Sequence, residues 1–256
     1  MRNVITIFQK EIKSYFASPI AYGLMAFFAL LAGYFFYIYI AMFVARSMES
    51  QMFGRPQPMD LNEWIVRPIL MNISVIGLFL IPMITMRLFA EEKRSGTIEL
   101  LATSPIRDIE IILGKWLAAL SLYAIILGLS LLNMMVLFLY GKPDWRPLLA
   151  GYLGLLLQGG CLLAVGTFIS NTSRNQIIAG TATFAVCLML WILDWRSSID
   201  PSATWAKVLG YCSVVSHFEP FAKGVIDSKD VIFYISMIFL GLFLTSRSME
   251  SLRWRA

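Results

Sequence analysis

The chain has 256 residues, of which 58% are hydrophobic and 14% are charged, and its mean hydropathy is +0.71. A soluble domain of this length carries far more charge, so the composition excludes a soluble enzyme and indicates an integral membrane protein. The net charge of +5 is also typical of nucleic-acid-binding proteins. However, Lys and Arg lie at the ends of the apolar runs, as the positive-inside rule requires, and we predict no nucleic-acid partner.

Runs of about 20 apolar residues predict helices that span the membrane and contact its lipid. Before the first run, residues 1–18 place apolar side chains at helical spacing and polar ones on the other face. This pattern predicts an amphipathic helix in the membrane interface. Residues 19–256 are predicted to form a single transmembrane domain. Its six predicted spans cover about residues 20–44, 64–89, 111–140, 148–169, 176–193 and 231–246.

Local signals refine the ends and contacts of these spans. Asp60 and Glu63 predict a capping box before the second span, and Pro68 and Pro82 predict kinks within it. Pro105 is well placed as the first residue of the third helix. Every element predicted from the sequence is a helix, so the predicted fold class is an all-α membrane protein. Five glycines of the fourth span predict close helix contacts: Gly151, Gly154, Gly159, Gly160 and Gly166.

The spans contain almost no ionisable residues at mid-depth, which argues against an ion-driven carrier. Their polar side chains include Asn72, Asn133 and Gln158. Two interpretations stay open for these residues. They either form hydrogen bonds between helices, worth about 1 kcal/mol each, or line a substrate path.

The chain offers little chemistry of its own. It has one histidine, His217, and three cysteines without metal-ligand spacing, so we predict no metal site and no catalytic residues. It also lacks the G-x-x-x-x-G-K-[ST] motif. We therefore predict that the chain is not an enzyme and binds no cofactor. Any nucleotide that drives it must be bound by another polypeptide.

The most charged short stretch, EEKRSGTIELLATSPI at residues 91–106, contains two adjacent leucines. Gly96 predicts a break after the second span, and Thr97 is placed to cap a short helix that ends before Pro105. An apolar knob surrounded by charge is suited to insertion into a groove on a partner. The alternative, a solvated loop whose leucines fold back onto lipid, stays open.

A second unusual segment joins the last two spans. Residues 194–230 are too apolar in their middle for a free loop and too short there for a span. This composition predicts re-entrant or interfacial outer helices over residues 203–226. The distribution of Lys and Arg favours both termini on the cytosolic side.

The segment FAEEKRSGTIELLATSPI resembles the signature of ABC-2 type transporter permeases: a Glu-rich helix end, then Gly-Thr, Glu, Leu-Leu and Pro. The order of interfacial helix, six spans and outer short helices is also similar. More narrowly, this segment and HFEPFAKGVIDSKD resemble the gliding-motility-associated ABC permeases and the copper-enzyme-maturation permeases. The matching signature residues are Glu91, Glu92, Gly96, Thr97, Glu99, Leu100, Leu101 and Pro105.

The resemblance implies a cytosolic coupling helix over residues 97–103, between the second and third spans. Glu91 and Glu92 would form part of the gate-like helix end before it. The outer re-entrant segment would contain His217, Glu219 and Pro220.

The resemblance also implies an assembly. Two permease chains, identical or homologous, pack side by side in the bacterial cytoplasmic (inner) membrane. Two cytosolic ATPase subunits, which bind ATP and Mg, dock beneath them, and an auxiliary protein with a periplasmic domain joins the complex. The implied function is the permease subunit of an ABC-2 type exporter. The alternative is a mechanotransmission or assembly subunit that relays ATP hydrolysis to a periplasmic partner without moving a substrate.

Overall fold

The computed structural model describes residues 2–52, 60–97, 106–199 and 210–253, and within these ranges every regular element is a helix. In chain order the elements are α1 (Arg2–Ala17), α2 (Pro19–Met52), a π-helical turn (Asn62–Val66), α3 (Arg67–Thr85), α4 (Ala90–Ser95), α5 (Asp108–Tyr140), α6 (Trp145–Thr172), α7 (Gln176–Ile199), α8 (Val214–Ala222) and α9 (Ser228–Arg253).

Six helical segments of the described chain are long and apolar enough to cross a membrane, which confirms the predicted number of spans. Most extend beyond the predicted apolar runs because a helix continues past the bilayer core until a cap or a break ends it. The segments are Pro19–Ser50, Asn62–Ser95, Asp108–Tyr140, Trp145–Thr172, Gln176–Leu193 and Ser228–Ser251.

Helices α3 and α6 form the centre of the bundle. In the most apolar window of each of these two spans, 67% of the residues are buried, against 11% for the span of α2 and 17% for those of α7 and α9. Helix α6 contacts α3, α5, α7, α8 and α9. The peripheral helices therefore leave much of their apolar surface to lipid or to other membrane proteins.

Glycines allow the neighbouring helices to approach the α6 backbone closely, as predicted. A Cβ atom at Gly159 would lie 2.1 Å from Cε1 of Tyr123 in α5. One at Gly166 would lie 2.5 Å from Oγ1 of Thr85 in α3. Both separations are far below van der Waals contact, so only glycine fits these positions without movement of the neighbour.

The sequence predicted that the second span is one helix, kinked at its prolines, up to Phe89. The structure instead divides it into two helices. Helix α3 ends at Thr85, three residues after Pro82, and α4 begins at Ala90 after a turn. The break is stabilised from outside, because Oγ of Ser170 in α6 accepts hydrogen bonds from the backbone N–H groups of Phe89 (3.1 Å) and Ala90 (3.3 Å). These donors have no partner inside a helix that starts there.

The start of this span follows the sequence more closely. Oδ1 of Asp60 accepts a hydrogen bond from the backbone N of Asn62 at 2.9 Å, so this side chain caps the start of the span, and the reciprocal bond from Glu63 that a capping box needs stays a prediction. The π-helical turn then directly precedes Arg67 and Pro68. A proline cannot donate to the helical ladder, and the extra residue of a π-helical turn accommodates that loss. The sequence predicted a kink at Pro68, and the structure has a π-helical turn just before it.

Helix α5 begins at Asp108, so the predicted start at Pro105 is wrong. The two residues before Asp108 are not helical, and Pro105 itself lies outside the described residues. Arg107 occupies the N-cap position, and its backbone N donates to Oε2 of Glu110 at 3.4 Å. Nδ2 of Asn3 in α1 donates to the same oxygen at 3.0 Å. A contact with α1 therefore helps to set the start of α5.

The ends of the described helices define two faces of the protein. The α1 face carries α1, α4, the end of α6 with the α6–α7 connection at residues 173–175, and the last turns of α9. Hydrogen bonds on this face join α4 to α6, α5 to α1, and α6 to α9. The α8 face carries α8, the π-helical turn and the starts of α6 and α9.

The packing at α6 predicts a stability difference between two glycine variants. Gly159→Ala forces the buried Tyr123 ring to move, and overpacking of this kind costs about 1–3 kcal/mol. Gly128→Ala is the matched control, because a Cβ atom there meets nothing within 4 Å and alanine favours a helix. We expect the first variant to unfold several degrees lower than the second in thermal unfolding of the detergent-purified chain. Equal melting temperatures would contradict the close contact.

Candidate functional site

The first part of the predicted coupling region lies within the described residues. Glu91 and Glu92 belong to α4, Gly96 follows its last residue, and Thr97 comes next. The rest of the predicted coupling helix lies outside the described residues, and so do the predicted site residues Glu99, Leu100, Leu101 and Pro105.

Gly96 ends α4 in the left-handed conformation, with φ of 74°. Residues with a side chain rarely adopt this conformation, which makes glycine the usual residue after a helix. The break predicted at Gly96 is confirmed. Thr97 follows Gly96, and its Oγ1 lies 2.9 Å from Oγ of Ser95.

A buried lysine joins α4 to α1 and α5. Nζ of Lys115, in α5, donates to Oε1 of Glu92 at 2.8 Å and to Oε1 of Glu11 at 3.0 Å. It also donates to the backbone oxygen of Leu88 at 2.8 Å. The three bonds use all three donors of the ammonium group, whose side chain is only 2% exposed. Removal of one partner from such a buried pair typically costs about 3–5 kcal/mol.

The turn between α3 and α4 is also attached to the junction of α1 and α2. Nε of Arg87 lies 3.0 Å from Oε2 of Glu91 in α4. Nη1 of the same guanidinium donates to Oγ of Ser18 at 3.1 Å. Ser18 is the residue between α1 and α2. Both glutamates of the predicted gate-like end are therefore ion-paired on the α1 face.

The opposite side of α4 is tied to α6. Nζ of Lys93 donates to the backbone oxygen of Asn171 near the end of α6. Nδ2 of Asn171 donates in turn to the backbone oxygen of Thr245 in α9, at 3.4 Å. Together with the Ser170 cap, these bonds connect α4 to the centre of the bundle and to the last span.

The junction borders a cavity of about 480 Å³ between α1 and α4, here called the α1–α4 cavity. Three basic and three acidic side chains line it, so its formal charges balance. Because Thr97 is among its lining residues, the cavity lies beside the start of the predicted coupling helix. The lining residues are Lys10, Glu11, Ser14, Arg87, Glu91, Glu92, Ser95, Thr97 and Lys115.

Two of the three polar residues predicted within the spans connect helices. Nδ2 of Asn72 donates to the hydroxyl of Tyr39 at 2.8 Å, which joins α3 to α2. Nε2 of Gln158 donates to Oγ of Ser74 at 2.7 Å, which joins α6 to α3. Asn133 is half-buried in α5. A role of these residues on a substrate path stays a prediction.

On the α8 face, His217 joins α8 to α9. Its Nδ1 lies 2.6 Å from Oδ1 of Asp230, at the start of α9, and its Nε2 lies 2.9 Å from the backbone oxygen of Tyr211. The imidazole ring stacks on the Phe233 ring with 3.9 Å between centroids. His217 and Asp230 are both buried, so this contact fixes α8 against the last span.

Glu219 joins α8 to α3. Its Oε1 lies 2.8 Å from Nζ of Lys223 and 2.9 Å from Nη2 of Arg67. The hydrogen bond from Lys223 is the largest cause of a lowered pKa of the Glu219 carboxyl, and the charges of Lys223 and Arg67 lower it further. Pro220 lies inside α8, and its backbone oxygen accepts from the N–H that follows the helix.

Sequence reasoning counted Lys115 only as one basic residue among several, and it overlooked Ser170. A signal for Lys115 was present, because it shares one helical face with Ile111, Ala118 and Leu122, all of which are buried. A lysine on a buried face requires a partner. Ser170 gave no comparable signal, since a serine in the last turns of a helix is ordinary.

Comparison with known proteins agrees with this architecture. The chain is 20% identical over 203 residues to the "Probable multidrug ABC transporter permease YbhR" of Escherichia coli (strain K12), and equally to the protein of that name from Escherichia coli O157:H7. The alignments cover 73% of this chain and 54% of each relative, so the chain spans about half the length of the curated relatives it matches.

Residues 5–196 match the family described as "ABC-2 family transporter protein". This match includes most of α1, the first four spans, α4 and most of α7, well over half of the chain. The bundle of six membrane-spanning helices and the family match lead to one conclusion: the chain belongs to the ABC-2 transporter permease family.

Proposed function

We propose that this chain is the permease subunit of an ATP-driven ABC-2 exporter, and that a separate cytosolic ATPase docks against the coupling helix at residues 97–103. Membership of the family supports the permease part of this proposal. The signature residues at and after α4 support the docking site. They also support the narrower assignment to the gliding-motility-associated branch, together with HFEPFAKGVIDSKD in and around α8.

The Lys115 junction is the observation that carries the proposal. A force applied to residues 97–103 reaches α4 directly through Gly96. Helix α4 cannot move alone, because Lys115 binds Glu92 together with Glu11 in α1. The same displacement therefore acts on α1 and α5, and through the Ser170 and Lys93 contacts on α6.

The α8 face then moves with the spans beneath it. Glu219 connects α8 to α3 through Arg67, and His217 connects it to α9 through Asp230. In the assembly that we propose, two permease chains lie side by side in the inner membrane with both termini in the cytosol. The α1 face meets two ATPase subunits, which bind ATP and Mg, and the α8 face meets the periplasm and an auxiliary protein there.

The docking proposal predicts the effect of charge on the two leucines of the signature. Leu100→Glu with Leu101→Glu is expected to weaken recovery of the ATPase at least tenfold in a pull-down from mild detergent, because buried leucines each contribute about 1.5–3 kcal/mol. Val225→Glu with Ile226→Glu is the matched control, since this exposed aliphatic pair precedes α9 on the α8 face. A leucine variant that keeps normal recovery and ATPase activity would show that docking occurs elsewhere.

The transmission proposal predicts different effects for two lysines near the same carboxylates. Lys115→Met is expected to leave ATPase binding intact but to abolish the stimulation of hydrolysis by the permease. It should also lower the melting temperature, because Glu11 and Glu92 lose their buried cation. Lys10→Gln is the control: Lys10 lies 3.9 Å and 3.7 Å from these carboxylates but is 65% exposed, so its loss should cost at most about 1 kcal/mol.

A folding defect and a transmission defect are separated by a third variant. Glu92→Gln combined with Lys115→Met removes one unpaired carboxylate and should recover part of the stability without restoring the stimulation of hydrolysis. If Lys115→Met or the double variant stimulates the ATPase normally, Lys115 has only a structural role.

The fixed attachment of α8 to α3 and α9 also favours a second candidate function. A rigid outer surface that moves with the spans is suited to mechanotransmission, in which ATP hydrolysis is relayed to a periplasmic partner without movement of a substrate. Reconstitution of the permease with its ATPase in sealed vesicles separates the two. ATP-dependent movement of any lipid, glycan or drug across these vesicles would exclude the version without a substrate.

A further inference from the structure

A second hollow on the α1 face lies on the other side of α4, and all of its charged lining residues are basic. It has a volume of about 500 Å³ and is here called the arginine hollow. Two of its five lining residues are basic and none is acidic, in contrast to the balanced charges of the α1–α4 cavity. The lining residues are Arg94, Arg174, Asn175, Gln176 and Ile177.

The fold brings these two arginines together from distant parts of the sequence. The bond from Lys93 to the Asn171 backbone holds α4 against the end of α6, and this places Arg94 beside the α6–α7 connection that contains Arg174. Both arginines are exposed, and neither forms an ion pair within the part of the chain that the structure describes. Two guanidinium groups without a counter-ion create a strong local attraction for an anion.

The connection itself is ordered by local hydrogen bonds. Oγ of Ser173 accepts from the backbone N of Asn175 at 3.2 Å, and Oδ1 of Asn175 accepts from the backbone N of Ile177 at 2.9 Å. These bonds fix Arg174 between two capped segments. The backbone that carries Arg174 is therefore held in place by the fold.

The flank of the hollow is apolar. Ile177, one of its lining residues, is 73% exposed at the start of α7. Further along α7, Ile178, Met189 and Ile192 are also exposed and lie at helical spacing on one side of the helix. Because α7 is a membrane-spanning helix, this stripe runs from the arginines into the hydrocarbon region.

We propose that the arginine hollow binds the headgroup of an anionic phospholipid, such as phosphatidylglycerol. The lipid phosphate lies between Arg94 and Arg174, and the acyl chains follow the exposed stripe of α7. Basic pockets at the ends of membrane helices are suited to this class of lipid. An acidic segment of a soluble partner fits the charge equally well but would not cover the apolar stripe, so the observations favour a lipid. The proposal requires no ATPase and stands apart from the proposed function.

The test uses the full-length chain alone, reconstituted in phosphatidylcholine vesicles that contain spin-labelled phosphatidylglycerol or spin-labelled phosphatidylcholine. We expect a preference for phosphatidylglycerol among the protein-bound labels. In Arg94→Gln with Arg174→Gln the affinity for phosphatidylglycerol should fall about fivefold for each arginine, the factor that corresponds to about 1 kcal/mol per basic residue. Arg94→Lys with Arg174→Lys, which keeps both charges, should retain most of it.

A matched control separates a defined site from general surface charge. Arg2→Gln with Lys13→Gln removes the same charge from exposed positions of α1 on the same face and should lower the preference clearly less than the site variant does. An equal loss in this control, or an unchanged preference in the site variant, would overturn the proposal.

Two further experiments test whether a different ligand binds the two arginines. Titration of the detergent-purified chain with inorganic phosphate should show no binding that depends on the arginines. Such binding without a lipid preference would assign the hollow to free phosphate. If the site variant keeps its lipid preference but recovers less ATPase in a pull-down, the hollow is a protein docking surface and the lipid proposal is wrong.

Discussion

The burial of one ammonium group is the interaction on which the α1 face depends. Lys115 lies among apolar residues of α5, where an unpaired cation would cost several kcal/mol. Glu11 and Glu92 must therefore stay within hydrogen-bonding distance of it, and they belong to α1 and α4. Lys115 thus connects the six-residue helix α4 to both α1 and α5. Helices α1 and α5 also pack directly on each other, since a Cβ atom at Gly114 would lie 2.8 Å from Cγ2 of Ile7.

Helix α4 illustrates why this arrangement is needed. An isolated helix of six residues is unstable in water, because its first turn is costly to form and the remaining residues add too few hydrogen bonds to offset that cost. Its start is capped by Ser170 of α6, its middle is held by Glu92 and Lys93, and its end is set by Gly96. The helix exists because of its neighbours. Whatever displaces it must displace them too.

The charges on the two sides of α4 serve different purposes. Between α1 and α4, acids and bases neutralise one another and hold the chain together. On the side of Arg94 and Arg174 no acid lines the hollow, and the positive field is left for a molecule from outside. Both surfaces border α4, next to the coupling helix at which we propose that an ATPase docks. The lipid composition of the membrane and the action of the ATPase would then meet at one short helix.

The sequence by itself determined the six spans, the break at Gly96 and the close contacts of the α6 glycines, because apolar length and the absence of a Cβ atom are local properties. The tertiary structure decided the break before α4, the start of α5 and the partners of Lys115. Each depends on a residue far away in the chain: Ser170, Asn3 and Glu11 respectively. A local pattern shows that a buried charge or an open helix end needs a partner, but only the folded chain selects which residue supplies it.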